Sequence, residues 1–283
     1  MVVDNYKLRQ IEKNIFHRSF GATSDFKKSQ WHKDSDRANS SQALAIDFWG
    51  CVKLSPQKDK IINLFFDKKE SNWEFIFEFT SSSLLNEKTS TQIDVVIQSD
   101  SCVLFLESKF TEADGGGCSQ IDSTTHYDFQ CNGNYETQTN PVNNKTCKCA
   151  LTGKGIKYWD YIDYLTTFSK NNEYQPCPFK GGEFQWMRNI CFSEAYSKQN
   201  NNIEVENYLV YYKSKKCPIS KKVDSQTYLG NLKNNIKNNN SFKALSYNDL
   251  LDKAICSFDS TEFNEKQIWI DLQNWMNDKE RNI

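Results

Sequence analysis

Asp94, Glu107 and Lys109 have the types and spacing from which phosphodiester hydrolysis can be built. That reaction needs a water activated near neutral pH and a positive centre for the charge developing on phosphorus. Two carboxylates sharing one Mg²⁺ meet both needs, and the backbone carbonyl of Ser108 is placed as a further ligand. A lysine beside them orients the attacking water, lowers its pKa or stabilises the transition state. Glu107-Ser108-Lys109 is the only Glu-x-Lys in the chain. Asp-x-Lys occurs at Asp25 and Asp67, but neither follows a strand with a second acid paired to it.

Two strands must position these groups. TQIDVVI (91–97) and CVLFLESKF (102–110) are apolar, rich in β-branched residues, and joined through Gln98–Ser101. A turn at Ser99–Asp100 pairs Gln98 with Ser101 and sets Asp94 opposite Phe105. Glu107 is then diagonal to Asp94, about 7–8 Å away at the backbone. The two-residue period puts Lys109 on the same face, and a slip by one residue would separate the set. The other face, with Ile93, Val95, Ile97, Leu104 and Leu106, is the expected core. The Asp94 face also carries Val96, Val103 and Phe105, so its charges are costly unless paired or metal-bound. An internal salt bridge from Glu107 to Lys109 or Asp94 is the plainer alternative.

Helices are expected over 5–16, from Ser40 to Gly50 with a serine N-cap, over 56–66, 155–169 and 181–198, and over 246–280. Strands are expected over 73–80, with Trp73, Phe75, Phe77 and Phe79 on one face, and over 206–213. Segment 231–241 is Asn/Lys-rich and reads as a loop. The pattern fits one α/β domain, a central mixed sheet flanked by helices, with an irregular Cys-rich insertion at 111–180.

IDVV and VLFLESK together resemble the catalytic core of the PD-(D/E)XK nuclease superfamily. The blocks SSQALAIDFWG (40–50), TQIDVVI, VLFLESKFTE (103–112) and CPFKGGEFQWMRN (177–189) resemble a restriction-endonuclease-like subgroup of it over roughly residues 38–215. The resemblance implies a restriction-endonuclease-like fold and Mg²⁺- or Mn²⁺-dependent cleavage of DNA, in restriction or defence. It implies metal binding by Asp94, Glu107 and the Ser108 carbonyl, and a catalytic Lys109. Gln185 matches a glutamine that helps position the site in relatives. Gln42 stands on the first helix, where many relatives carry a glutamate, and Glu78 is a weaker supporting candidate. Ile93 replaces the proline that gives the superfamily its name. Double-strand cleavage would favour a homodimer, since one site cuts one strand.

The net charge of −1 gives no global attraction to nucleic acid, so binding would rely on a local basic patch. Lysines cluster at 213–222, a run that by itself reads as a solvated loop. No apolar run reaches membrane-spanning length, and the N-terminus lacks a signal-peptide pattern. An intracellular, cytoplasmic protein with reduced thiols is therefore expected. Cys118, Cys131, Cys147, Cys149 and Cys177 fall within 60 residues and read first as free, partly buried thiols. A structural Zn²⁺ or Fe–S cluster is the alternative there, although no C-x₂-C pair is present. Cys51, Cys102, Cys191 and Cys256 sit on apolar elements as core residues. His17 and His32 receive no role. A non-catalytic nucleic-acid-binding module, an RNA-directed nuclease and a metal-stapled interaction protein are the rival functional readings.

Overall fold

Val, Ile, Leu and Phe crowd the two central strand segments, as expected of strands buried on both faces. In the computed structural model they form the middle of one mixed sheet. The structure describes residues 3–88, 90–118, 151, 155–161, 179, 182–225, 227–228, 230 and 242–283. Its strands lie side by side in chain order: β1 (Glu74–Ser81), β2 (Thr91–Gln98), β3 (Cys102–Lys109), β4 (Glu204–Tyr211) and β5 (Phe242–Ser246). The first three run antiparallel, and β4 and β5 join parallel to β3. The helices are α1 (Asn5–Lys13), α2 (Ser41–Lys53), α3 (Lys58–Phe66), α4 (Phe184–Gln199), the short α5 (Pro218–Val223), α6 (Tyr247–Ser257) and α7 (Phe263–Arg281). This is the expected α/β architecture, a central mixed sheet flanked by helices.

Both faces of the sheet are covered, not one. All eight residues of β3 are buried. Phe105 packs against Phe192 and Tyr196 of α4. On the other face, Phe48 of α2 meets Phe65, Tyr247 and Trp269, which joins α2, α3, α6 and α7 in one aromatic cluster.

Helix α2 does not stop at Gly50 but runs to Lys53. Gly50 is there for close approach rather than termination. A Cβ at this position would lie 2.9 Å from the Ser19 carbonyl oxygen and 3.0 Å from the Ser19 Cβ. Helix propensity alone favours alanine over glycine by about 1 kcal/mol. The clash outweighs it, because two backbones would have to separate. Gly50→Ala is therefore expected to destabilise the fold by about 1–3 kcal/mol in thermal or urea melts, and a gain in stability would contradict this packing.

A buried polar knot fixes α2 to both ends of the chain. Asp47 is fully buried. Its Oδ1 accepts from the Phe16 N–H at 2.6 Å, and its Oδ2 accepts from Trp275 Nε1 at 3.1 Å and Lys279 Nζ at 2.5 Å. Burial pushes the Asp47 carboxyl up and the Lys279 ammonium down; their mutual attraction opposes both shifts.

Other expectations need correction. The segment 246–280 is two helices, broken around Phe258, and strand β5 precedes them. β5 is a five-residue run of mixed polarity, too short for a clear period. The lysine run at 213–222 is not simply a loop, because Pro218 starts α5, whose Ile219 and Val223 are buried. Cys256 is exposed in the last turn of α6, whereas Cys51, Cys102 and Cys191 are core. Helix 155–169 lies mostly outside the described residues, as does much of 111–180.

Candidate active site

The hairpin that carries Asp94 and Glu107 turns one residue later in the chain than the spacing suggests. The Ser99 N–H donates to the Cys102 carbonyl at 2.9 Å, and the Ser99 hydroxyl accepts from the N–H groups of Ser101 and Cys102. The pairing is Gln98 with Val103, Ile97 with Leu104, Val96 with Phe105 and Val95 with Leu106. The expected register is therefore off by two residues. A shift of two keeps every side chain on its face. It changes the partner of Asp94, which by continuation of the ladder stands across from Glu107 rather than diagonal to it.

The ladder ends at Val95–Leu106. Beyond it, the Ser108 N–H donates to Asp94 Oδ2 at 2.7 Å. The Lys109 carbonyl accepts from the Tyr212 N–H on the β4 side. Strand alternation consequently turns the Ser108 peptide group toward β2. The Ser108 hydroxyl lies on the opposite sheet face, bonded to the Tyr247 hydroxyl at 2.8 Å and to the Ser41 carbonyl at 3.3 Å. Ser108 thus locks β3 to the N-terminus of α2 while its backbone serves the site.

Glu107 and Lys109 are about 5–6% exposed. Lys109 Nζ donates to Glu107 Oε1 at 2.8 Å and lies 5.7 Å from the centre of the Trp186 ring. The internal salt bridge is thus present within the catalytic candidate set. Burial would lower the lysine pKa, but Glu107 and Asp94 outweigh it, so the ammonium is held above its usual value. Burial and the facing carboxylates of Glu107 and Glu78 raise Asp94 well above the usual carboxylate range, against the pull of Lys109.

Asn189 of α4 is the neighbour that sequence reasoning missed. Its Nδ2 donates to Glu107 Oε2 at 2.8 Å. Its Oδ1 is buried beside the acids without a hydrogen-bond partner among the described residues. Gln185, one turn earlier on the same helix, is half-buried, and its backbone N–H donates to the Gly115 carbonyl. The i,i+4 spacing from Gln185 was the available signal for Asn189.

Gln42 is buried at the start of α2. Its Nε2 donates to Glu78 Oε1 at 2.6 Å and to the Gln30 carbonyl at 2.8 Å, while its Oε1 accepts from the His32 N–H at 2.9 Å and from the Ser35 hydroxyl. Glu78 stands in β1 with φ +52°, although pairing keeps the same register on either side of it. By that register it faces Asp94, so Glu78, Asp94 and Glu107 share one rung across three strands. The left-handed residue also breaks the expected alternation. Phe75 and Phe77 stack at 6.4 Å, and Phe77 meets Phe26, but Phe79 turns to Phe192 and Tyr196 of α4.

A cleft of about 600 Å³ opens beside the rung, lined by Trp31, His32, Lys33, Arg37, Ser41 and Thr111 among others. Asp94, Glu107 and Lys109 are not in its wall. Its wall carries Ser41, whose carbonyl accepts from the Ser108 hydroxyl, and Thr111, two residues past Lys109. Among the described residues, no group of three or more His, Cys, Asp or Glu is gathered as a cation site. A cation here would need donors besides the carboxylates. Of the five clustered cysteines only Cys118 is described, half-buried; Cys131, Cys147, Cys149 and Cys177 lie outside the described residues.

The model of the family described as Restriction Endonuclease associating with ARP matches residues 2–269. The chain belongs to this family. The matched span of this restriction-endonuclease family contains Gln42, Glu78, Asp94, Glu107, Lys109 and Asn189, together with all five strands. A nuclease role follows at the level of the family. No curated protein and no solved structure matches the chain. No helix among the described residues is long and apolar enough to cross a membrane.

Proposed function

We propose that this chain is a PD-(D/E)XK nuclease that hydrolyses DNA phosphodiesters with Mg²⁺ or Mn²⁺ held by Asp94, Glu107 and the Ser108 carbonyl. One observation carries the reading. Asp94 and Glu107 stand on one rung of adjacent strands where the ladder opens, with the Lys109 ammonium 2.8 Å from Glu107. The donor chemistry fits a hard cation: two carboxylates, a peptide group turned toward β2, and the unpartnered Asn189 Oδ1 beside them. When bound, Mg²⁺ supplies a Lewis acid and lowers the pKa of a bound water.

The residues divide the remaining work. Asn189 and Lys109 fix the Glu107 carboxylate from its two oxygens. The Ser108 N–H fixes Asp94 through Oδ2. Lys109, kept charged by its acidic neighbours, orients the attacking water and offsets the charge on the phosphoryl oxygens. Gln42 and Gln185 support the site from α2 and α4. Cleavage of both strands calls for a homodimer, and restriction of foreign DNA is the setting that suits the activity.

Plasmid DNA incubated with the protein should be cut in Mg²⁺ or Mn²⁺ and left intact in EDTA; an intact plasmid in every condition sinks the reading. A second readout does not depend on turnover. Without a cation, a carboxyl raised by its surroundings stabilises the fold in acid and loses that contribution as pH rises through its folded pKa. Mg²⁺ should restore it, so the melting temperature at neutral pH should rise with Mg²⁺ for the wild type. Asp94→Asn should lose this rise and, in EDTA, melt no lower than the wild type. An equal Mg²⁺ shift in the variant would remove Asp94 from the metal site.

A further inference from the structure

His32 received no role from the sequence, yet several costly features converge on it. A non-glycine residue with left-handed φ in mid-strand costs roughly 1–3 kcal/mol, and Glu78 adopts that conformation at φ +52°. Its carboxylate is buried and receives amide donors from Gln42 and Gln92. Its remaining polar contact is His32 Nε2, at 3.4 Å from Oε2. The His32 backbone is fixed as well, through its N–H to Gln42 Oε1. His32 is therefore held at its backbone and at Nε2, while its side chain remains 47% exposed. Gln92 also hydrogen-bonds the ring, so two side chains grip the imidazole while part of it stays open to the cleft.

The exposed edge opens into the cleft that also carries Lys33 and Arg37. Asp34, paired with Arg37 at 3.2 Å, and Glu112 line it too, so its fixed charges balance and the charge on His32 decides its sign. Glu78 shares a rung with Asp94, which sets His32 beside the candidate reaction centre rather than at a remote surface. The contact with Glu78 raises the imidazole pKa, against burial, and the more distant Asp94 adds to the rise.

We propose that His32 is a phosphate-binding residue of this site, an imidazolium held by Glu78 that donates from Nδ1 to a non-bridging oxygen of the DNA strand in the cleft. The assignment rests on the nuclease reading above and gives the cleft its ligand, the backbone phosphate next to the one cut. Gln42 then has a defined task. It positions Glu78 and the His32 backbone together, which explains why its amide is fully used at the head of α2. A surface ion pair with no substrate contact would have little need of that support.

The test is binding of a labelled DNA duplex to the full chain in EDTA, where no cutting occurs, across a salt series. One charge-assisted contact to phosphate lost in His32→Gln should weaken binding about tenfold and flatten the log–log salt slope by about 0.9. His32→Arg should restore the slope, because it returns a cation to the same place. A change in folding alone would not follow charge in this way, and the melting temperatures of both variants check for it. Unchanged affinity and slope in His32→Gln would overturn the proposal, as would a wild type that binds no duplex. A wild type that binds the duplex but cuts no DNA in Mg²⁺ defeats the nuclease reading, while the His32 slope still decides the phosphate contact.

Discussion

Lys109→Ala is expected to reduce Mg²⁺-dependent cleavage of plasmid DNA by roughly 10²–10³-fold or more, the range for losing one pre-organised charge at the transition state. The expectation comes from where the ammonium sits. It is buried, touches Glu107 and lies over Trp186, so no mobile surface lysine can take its place. The variant also removes the cation closest to three acids on one rung, so it should melt at a lower temperature in EDTA and recover much of that loss in Mg²⁺. Lys109→Met, which keeps most of the side-chain volume, separates the charge from the packing and should be equally inactive. Duplex binding in EDTA should survive both substitutions. Cleavage by either variant at the wild-type rate would remove Lys109 from the chemistry.

Lys279→Ala should have the largest effect on stability, about 3–5 kcal/mol, because it strands the Asp47 carboxylate in the interior. Asp47 is fully buried, and its remaining partners, the Phe16 N–H and Trp275 Nε1, carry no full charge. The sign of the pH dependence follows from the directions of the shifts. A raised carboxyl stabilises the fold in acid and loses that contribution as pH rises through its folded pKa. With its lysine partner gone, Asp47 should rise further, so the variant's deficit should be smaller in mild acid than at neutral pH. The double variant Asp47→Asn with Lys279→Met removes both charges and should recover a good part of the loss, since matched apolar or neutral replacements of a buried pair are often tolerated. Urea melts of the two single variants and the double variant give the cycle. A loss below about 1 kcal/mol for Lys279→Ala would match a surface pair instead and contradict the burial.

The pairing of the hairpin explains why the core of the site was legible before the fold. Asp94, Glu107 and Lys109 keep a shared face through any even register, so the parity of their numbers was enough to group them. The turn was not legible, because the Ser99 side chain braces it one residue further along, which moves the partner of Asp94 by two residues. Asn189 was half-legible, as it lies one helical turn from the glutamine already singled out. His32 was not legible at all. It lies more than forty residues from Glu78 in the chain, in a segment without a hydrophobic period.

The sequence by itself determined the strand pair, its acid–lysine face and the apolar helices that cover it, because side-chain period and turn chemistry are local properties. Only the tertiary structure decided what surrounds that face. α2 runs past Gly50 because a distant backbone presses against it at Ser19. Glu78 joins the rung of acids because β1 pairs with β2 in the register that sets it across from Asp94, and Gln42 and His32 meet it there. Those contacts depend on how separate segments pack, and no spacing within one segment encodes them.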